Sequence, residues 1–150
     1  MPAQFQRPDI SFLYPDNWTL DEDEVSGEQS VTVYSPGGGF WSVAVHHGSI
    51  EPLKLANAAL EAMQKEYQGL EVEQVDETVS GRKMTGYDLN FFLFDFTNTA
   101  QIRSLKCNQT TYTIFCQAED REFEQIQRVF QAMTVSFLNG LKDLGYWDLK

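Results

Sequence analysis

The stretch from residue 70 to residue 118 constrains the fold most, because apolar and polar side chains alternate along it between short turn-forming clusters. A period of two is typical of a β-strand with one buried face. The predicted strands are Leu70–Val79, Lys83–Phe96, Ala100–Cys107 and Thr110–Ala118. The turns that separate them are Ser80–Arg82, Asn98–Thr99 and Asn108–Gln109. Four consecutive strands with connections this short predict an antiparallel meander.

Two amphipathic helices are predicted, one before this meander and one after it. The first lies between Pro52, which suits the first helical position, and Gly69, which suits the end of a helix. The second begins near Asp120, a good N-cap residue. Both have apolar residues three and four positions apart: Leu53, Ala56, Leu60, Met63 and Tyr67, then Phe123, Ile126, Phe130, Met133 and Phe137. A single apolar stripe predicts that each helix buries one side.

The amino-terminal segment carries a strand and a helix-start pattern. Ile10–Tyr14 is the predicted strand, and the turn-forming cluster Pro15–Asn17 stops it. Thr19 and Glu22 have the spacing of a capping box, which predicts a short helix. The acidic run Asp21–Glu24 would then lie in its first turn, where the helix dipole favours negative charge.

A hairpin completes the predicted elements, with strands Ser30–Ser35 and Phe40–His47 joined by a glycine-rich loop. The order is strand, hairpin, helix, four-strand meander, helix, and we expect a single domain over residues 1–150. The predicted fold class is α+β, with an antiparallel sheet of about six to seven strands packed against two main helices. We expect both helices on one face of that sheet.

Three local signatures resemble one known superfamily. They are FLYPDNW at Phe12–Trp18, YTIFCQA at Tyr112–Ala118 and FQAMTVSF at Phe130–Phe137. The order of elements and these signatures resemble the superfamily that joins the PsbP protein of photosystem II and the Mog-type Ran-binding proteins. The resemblance covers residues 8–138 and leaves 139–150 as a tail. It implies a PsbP/Mog-like sandwich and a non-enzymatic accessory or binding role, and it assigns no functional residue.

Charge and hydropathy exclude several classes of partner. The chain has 22 acidic and 11 basic residues, giving a net charge of −11. Nucleic-acid binding needs a basic patch, and anionic lipid attracts basic segments, so neither partner is predicted. Sixteen of the acids but only five of the bases lie in residues 1–100. No apolar run reaches the ~20 residues of a membrane span or has the form of a signal peptide, so we expect a cytoplasmic protein.

No catalytic, metal or cofactor site is predicted. Neighbouring residues on a strand point to opposite faces, so His46 and His47 are not expected to chelate one ion. Gly37–Gly39 lacks the spacing of a phosphate-binding loop and precedes a strand, which favours a hairpin loop. Cys107 and Cys116 would lie about 20 Å apart along neighbouring strands, too far for a disulfide, so both are expected to be reduced.

The aromatic segment Asn90–Phe96 is the strongest functional candidate, because it is apolar on both faces of its predicted strand. Either the C-terminal tail or a loop covers the second face, or that face meets a partner or a second subunit. The tail Leu138–Lys150 is itself apolar enough to fold back across the sheet or to swap onto a second subunit. We predict a contact surface of five aromatic residues: Trp41, Phe92, Phe94, Phe96 and Trp147.

The sequence therefore predicts a non-enzymatic accessory or binding protein whose aromatic sheet face binds a protein partner. Two alternatives remain open. One is a homodimeric chaperone or adaptor for secretion effectors, since one bacterial branch of the superfamily resembles acidic chaperones of type VI secretion effectors. The other is a small-molecule-binding or enzymatic domain with a pocket between helix and sheet.

Overall fold

The computed structural model describes residues 2–25 and 28–143, and within these ranges it contains nine strands and two helices. The strands before the first helix are β1 (Pro2–Gln6), β2 (Ser11–Pro15), β3 (Thr19–Val25), β4 (Glu28–Tyr34) and β5 (Phe40–His47). The strands after it are β6 (Glu71–Val79), β7 (Arg82–Leu93), β8 (Phe96–Cys107) and β9 (Thr110–Glu119). The helices are α1 (Pro52–Glu66) and α2 (Asp120–Asp143).

Seven strands form one antiparallel sheet in the order β3-β4-β5-β9-β8-β7-β6, and β1 pairs with β2 in a separate small sheet. The large sheet is two meanders side by side, β3 to β5 and β6 to β9. They meet where β5 pairs with β9, from Phe40 opposite Gln117 to His47 opposite Thr110. This architecture confirms the predicted α+β class, with seven strands and two main helices.

The helices lie on opposite faces of the sheet, so the expectation that both share one face is wrong. Alternate residues of β9 show this directly: Ile114 belongs to the core under α2, whereas Phe115 packs with the core under α1. The β1–β2 hairpin adds Phe5 and Phe12 to the α2 side. A strand buried on both faces needs apolar residues at successive positions, which explains why β7 and β9 are so rich in them.

The predicted short helix after Thr19 is instead the edge strand β3. Its residues pair with β4 without interruption, from Thr19 opposite Tyr34 to Val25 opposite Glu28. A capping box contributes little against a full ladder of strand hydrogen bonds, so tertiary pairing decides the conformation. The acidic run Asp21–Glu24 therefore lies on one edge of the sheet.

The opposite edge strand, β6, is equally acidic, with Glu71, Glu73, Asp76 and Glu77. Helix α1 itself is neutral, since its two acids are balanced by two lysines. The excess negative charge thus follows the two edges of the sheet rather than the first helix. Charged edge strands oppose edge-to-edge pairing with other chains.

Turn positions in the second meander agree with the prediction at two of three places. Ser80–Gly81 and Asn108–Gln109 are turns, and Ser80, Gly81 and Asn108 have positive φ. The third turn lies at Phe94–Asp95 rather than at Asn98–Thr99, because β7 pairs with β8 as far as Leu93 opposite Phe96. Asn98 is buried within β8, where its amide donates a hydrogen bond to the Phe96 carbonyl oxygen at 3.2 Å.

The final helix is longer than the periodicity indicated. It continues to Asp143, and Leu138 and Leu141 are fully buried. Gly140 allows this packing, because a Cβ there would lie 2.5 Å from the Ser11 carbonyl oxygen. Residues 139–143 are therefore helical rather than part of a tail. The fold-back predicted for the rest of the tail falls on residues 144–150, outside the described residues.

Gly86 is required because β8 leaves no room for a side chain at this position of β7. A Cβ on Gly86 would lie 1.8 Å from the carbonyl oxygen of Ile102, which is backbone and cannot rotate away. We expect Gly86→Ala to lower the free energy of unfolding by about 3 kcal/mol. Urea denaturation measures this difference.

Gly69→Ala is the matched control, because Gly69 has open space around it and only its φ of +70° opposes a side chain. Its cost should be about 1 kcal/mol. Equal losses for the two variants would show that the close approach at Gly86 is not a constraint.

Candidate partner-binding site at the tip of the β7–β8 hairpin

The β7–β8 hairpin extends beyond its neighbours in the sheet. Strand β6 pairs with β7 only as far as Asn90, and β9 pairs with β8 only as far as Asn98. Residues Phe92–Thr97, here called the tip, therefore pair only with each other. The tip is thus the end of a two-stranded hairpin that projects past the neighbouring strands β6 and β9.

The base of this projection is held firmly on both faces of the sheet. On the α1 side the buried Phe91 ring lies 4.4 Å from the Tyr67 ring, centroid to centroid. On the α2 side Asn90 Nδ2 donates to Thr99 Oγ1 at 3.0 Å, and Thr99 Oγ1 donates to Asp120 Oδ1 at 2.8 Å. These contacts tie the hairpin to the ends of both helices, so the tip is presented on a rigid support.

Three phenylalanines of the tip are exposed: Phe92 at 68%, Phe94 at 89% and Phe96 at 52%. The prediction of an aromatic sheet face required these three side chains to lie on the same face of one strand, and they do not. Phe92 lies on the α2 side of β7, Phe96 lies on the α1 side of β8, and Phe94 is in the turn. The guanidinium of Arg121 lies 5.8 Å from the centre of the Phe96 ring, within cation–π range. The three rings thus surround the end of the hairpin.

Phe94 has a backbone conformation that suits its position poorly. Its φ is +58°, in the left-handed region, where bulky side chains are rare. The first positions of the other two turns of this meander also have positive φ, but they carry smaller polar residues, Ser80 at +51° and Asn108 at +58°. Backbone strain of this kind clusters at functional sites, where selection maintains it.

The tip has one charged residue of its own, Asp95, and the Arg121 cation lies beside Phe96. Asp95 lies between Phe94 and Phe96 in the turn, and the whole chain carries a net charge of −11. An apolar projection with a central carboxylate is poorly suited to enter a lipid bilayer.

Trp41 does not contribute to this surface, which corrects its place in the predicted contact set. Its side chain is fully buried under α2, with its ring 4.9 Å from the Phe12 ring. Its Nε1–H donates a hydrogen bond to Thr134 Oγ1 at 3.0 Å. The alternation of β5 already placed Trp41 on the face opposite Phe40, and this signal identifies a core residue. Trp147 lies outside the described residues.

The two histidines have separate partners on opposite faces of β5. His46 Nδ1 lies 2.8 Å from Glu28 Oε2, whereas His47 Nε2 lies 3.7 Å from Asp9 Oδ2. This confirms that the pair does not point to one site. Over residues 2–25 and 28–143, no group of three or more His, Cys, Asp or Glu side chains is placed to hold a metal ion.

The glycine-rich loop is held in place by a carboxylate of α2. Glu122 on α2 accepts hydrogen bonds from the Gly39 N–H at 2.9 Å and from the Ser35 hydroxyl. A Cβ on Gly37 would collide with the same carboxylate. Since a carboxylate of the chain itself already occupies this position, the loop is a hairpin connection, as its sequence context favoured.

Both cysteines are free and buried, as predicted. Burial raises the pKa of the Cys116 thiol to about 12, against a smaller lowering effect of the nearby Arg103 cation. A thiol with this pKa is neutral at physiological pH and is a poor nucleophile. Cys116 therefore has the character of a core residue.

The architecture and this site define a protein of the PsbP-like fold that carries an exposed aromatic hairpin tip. No family model and no curated protein sequence matches the chain. No helix in the described ranges has both the length and the apolar character needed to cross a bilayer.

Several solved structures are similar to this chain. The solution structure of cyanobacterial PsbP (CyanoP) from Synechocystis sp. PCC 6803 has a TM-score of 0.61 at 13% identity, covering 91% of this chain and 90% of that one. LpqN, involved in cell envelope biogenesis of Mycobacterium tuberculosis, has a TM-score of 0.54 at 16% identity, covering 89% and 86%. PA94 from Pseudomonas aeruginosa, a protein of unknown function and putative regulator, has a TM-score of 0.53 at 10% identity, covering 91% and 95%. These likenesses confirm the PsbP-like fold.

Replacing Phe94 by asparagine should leave the fold as stable as before or stabilise it by up to about 1 kcal/mol. Asparagine tolerates the left-handed backbone, and a ring that is 89% exposed loses little packing on removal. Thermal and urea unfolding measure this. The reciprocal control is Asn108→Phe, at the same φ of +58°, which should cost about 1 kcal/mol. Destabilisation by Phe94→Asn would show that the ring supports the fold.

The raised pKa of Cys116 predicts a loss of stability in alkali. The unfolded thiol ionises near 9.0, whereas the folded thiol stays protonated up to about 12. The contribution of Cys116 to the free energy of unfolding is therefore complete below pH 9. Above pH 9 it declines, by up to about 1.4 kcal/mol per pH unit. The difference in unfolding free energy between the wild-type chain and Cys116→Ala should shrink from pH 8 to pH 10.5. A difference that stays constant would contradict the assigned pKa.

Proposed function

We propose that this chain is a non-enzymatic binding protein that inserts its aromatic tip into a pocket on a protein partner. One combined observation supports the proposal: three phenylalanines are exposed at the tip, and one of them, Phe94, has a backbone in the left-handed region. Selection for stability alone would place asparagine or glycine at that turn and polar residues beside it. If the rings contribute binding energy to a complex with a partner, selection for binding would explain why phenylalanines remain at these positions.

The exposed aromatic area suits a hot spot within a larger or transient interface. The exposed parts of the three rings together equal about two whole phenylalanine side chains, or roughly 400 Å². Functional patches on monomers commonly have this size, whereas a standard interface buries about 800 Å² on each partner. A small cluster of buried aromatic anchors can nonetheless supply most of the binding energy.

Charge argues for a protein partner with basic residues around an apolar pocket. Asp95 would lie at the rim of that pocket, and the acidic edge strands β3 and β6 would add long-range attraction. Electrostatic attraction of this kind mainly accelerates association, and salt weakens it. Nucleic acid and anionic lipid are both repelled by a chain with a net charge of −11.

A homodimeric chaperone or adaptor is the competing hypothesis. Acidic edge strands oppose dimerisation through continuous sheet pairing, so a dimer would use the tip or a sheet face. A measurement of the oligomeric state therefore distinguishes two hypotheses: that the partner is a second copy of this chain, or that it is a different protein.

The experiment compares baits that differ only in the tip. Wild-type protein, Phe94→Asn, Asp95→Lys and the control Val72→Asn are immobilised and exposed to lysate of the source cell. Val72 is also exposed, at 42%, but lies on β6 opposite Leu89, outside the tip residues. A candidate partner must be retained by wild type and by Val72→Asn, and captured at least ten-fold less by Phe94→Asn.

The purified candidate is then titrated against each variant. Phe94→Asn should weaken its affinity by about 30-fold, the effect of a 2 kcal/mol hot spot. Asp95→Lys should lower the association rate and its dependence on salt. If wild type is a dimer by light scattering and Phe94→Asn is a monomer, the occupant of the tip is a second copy. If no capture and no self-association depends on the tip, the proposal fails.

A further inference from the structure

An open groove runs along α2 where the helix meets strand β2, and its volume is about 720 Å³. Its lining on β2 includes Ser11 and Leu13, and its lining on the helix includes Val135, Ser136 and Gly140. This surface is here called the α2 groove. It shares no residue with the tip, and it lies on the face of the sheet opposite α1.

Leu13 presents exposed apolar surface to the α2 groove. Its backbone is fixed, because the Leu13 N–H donates a hydrogen bond to Ser136 Oγ at 2.8 Å. Its side chain is nevertheless 45% exposed. A second open cavity, of about 620 Å³, also borders Leu13 and extends this surface to Pro15 and Val129. Covering such a surface with another apolar segment is favourable, because it removes apolar area from water.

The α2 groove reaches the end of the described helix. A Cβ on Gly140 would lie 2.5 Å from the Ser11 carbonyl oxygen, so helix and hairpin are in close contact at this end of the groove. Helix α2 is described as far as Asp143. Three residues of helix span about 4.5 Å. The segment that follows, residues 144–150, lies outside the described residues, and it begins next to the groove.

The sequence of this segment suits a surface that is apolar on one side and wet on the other. Residues 146–150 read YWDLK. Side chains of an extended segment point alternately to opposite sides. Trp147 and Leu149 would therefore share an apolar side, and the other side would carry the polar groups of Tyr146, Asp148 and Lys150.

The segment is long enough to reach the exposed leucine. Gly145 suits the left-handed residue that commonly ends a helix and reverses the chain. An extended segment then advances about 3.3 Å per residue, against 1.5 Å per residue of helix. Each of its residues passes about two residues of α2. This spacing brings Trp147 beside Gly140 and Leu149 beside Leu13.

Two arguments favour a segment of the same chain over another occupant. Arg128 is the only charged residue among those that line the α2 groove, and the segment after Gly145 has one acid and one base, hence no net charge. The segment is also joined to α2, so its effective concentration at the groove is on the order of millimolar or higher. A second copy of the chain lacks this advantage and is repelled by the net charge of −11.

We propose that the chain reverses at Gly145 and lays residues 146–150 along α2, with Trp147 and Leu149 in the α2 groove against Leu13. The groove is then a docking site for a segment of its own chain. Trp147 belongs to this contact and not to the partner-binding surface, which leaves the tip as a separate site. The docking and the proposed function can therefore fail independently.

The test uses the full chain labelled with 5-fluorotryptophan and follows its ¹⁹F NMR spectrum. The chain has three tryptophans, and Trp147→Phe identifies the Trp147 signal. Exposed fluorine signals move when water is replaced by deuterium oxide, whereas the buried Trp18 and Trp41 provide the reference for protected rings. We expect the Trp147 signal to move about two-fold less than that of free 5-fluorotryptophan, because one side of its ring lies against the groove.

Two variants should release the segment by different means. Leu13→Asn removes apolar contact from the groove, and Gly145→Val opposes the left-handed conformation that the reversal needs. Each should raise the Trp147 isotope shift to that of the free amino acid.

Matched controls accompany both variants. Leu53 is also an exposed leucine, at 39%, but it lies on α1, on the opposite face of the sheet, so Leu53→Asn should change nothing. Asparagine tolerates the left-handed region, so Gly145→Asn should keep Trp147 protected. The Trp18 and Trp41 signals report whether each variant is folded.

Several results would overturn the proposal. A Trp147 signal that is fully exposed in the wild-type chain would show that the segment does not dock. Protection that persists in either releasing variant, with native Trp18 and Trp41 signals, would show that it docks elsewhere. Protection that is lost on dilution, together with a dimer in light scattering, would assign the groove to a second copy. Exposure of Trp147 in Phe94→Asn would place the segment at the tip.

Discussion

The pairing of β5 with β9 is the contact on which the rest of the structure depends. It joins the two meanders through eight residue pairs, whose members are 63 to 77 positions apart in the chain. The core under α2 crosses this junction through Trp41 and Tyr112. On the opposite face Phe40 stacks on Phe115, with ring centres 5.7 Å apart. Because β9 contributes residues to both cores, it is part of the wall that the two cores share.

Helix α1 covers mainly the β7–β9 part of its face of the sheet. The chain treats the edges of the sheet and the end of the long hairpin differently. The two edge strands carry rows of carboxylates, which oppose pairing with other chains. The β7–β8 hairpin end carries exposed phenylalanines instead. Where α2 does not cover the sheet completely, Arg103 and Gly86 replace the apolar pair that a closed core would have.

Local pattern accounts for much of the fold and part of the site. The 3–4 spacing of apolar residues correctly placed both helices, and the alternation after residue 70 correctly placed the meander. Asn90–Phe96 was correctly singled out as apolar on both sides, but the turn position was wrong by four residues. Asn98 and Thr99 are common turn residues, yet here Asn98 is buried within β8 and Thr99 bonds to Asp120. Turn propensity is a weak local preference that strand register overrides.

By itself the sequence determined the identity and order of the main elements, because helix and strand periodicities are local properties of the chain. Only the tertiary structure decided that the helices lie on opposite faces, that the acidic run at Asp21–Glu24 is a strand and that Trp41 is buried. It also brought the carboxylates of Glu77 and Asp88 together on the Arg103 guanidinium. These outcomes depend on which distant strands pair and which face each helix covers, and those contacts join residues whose spacing carries no periodic signal.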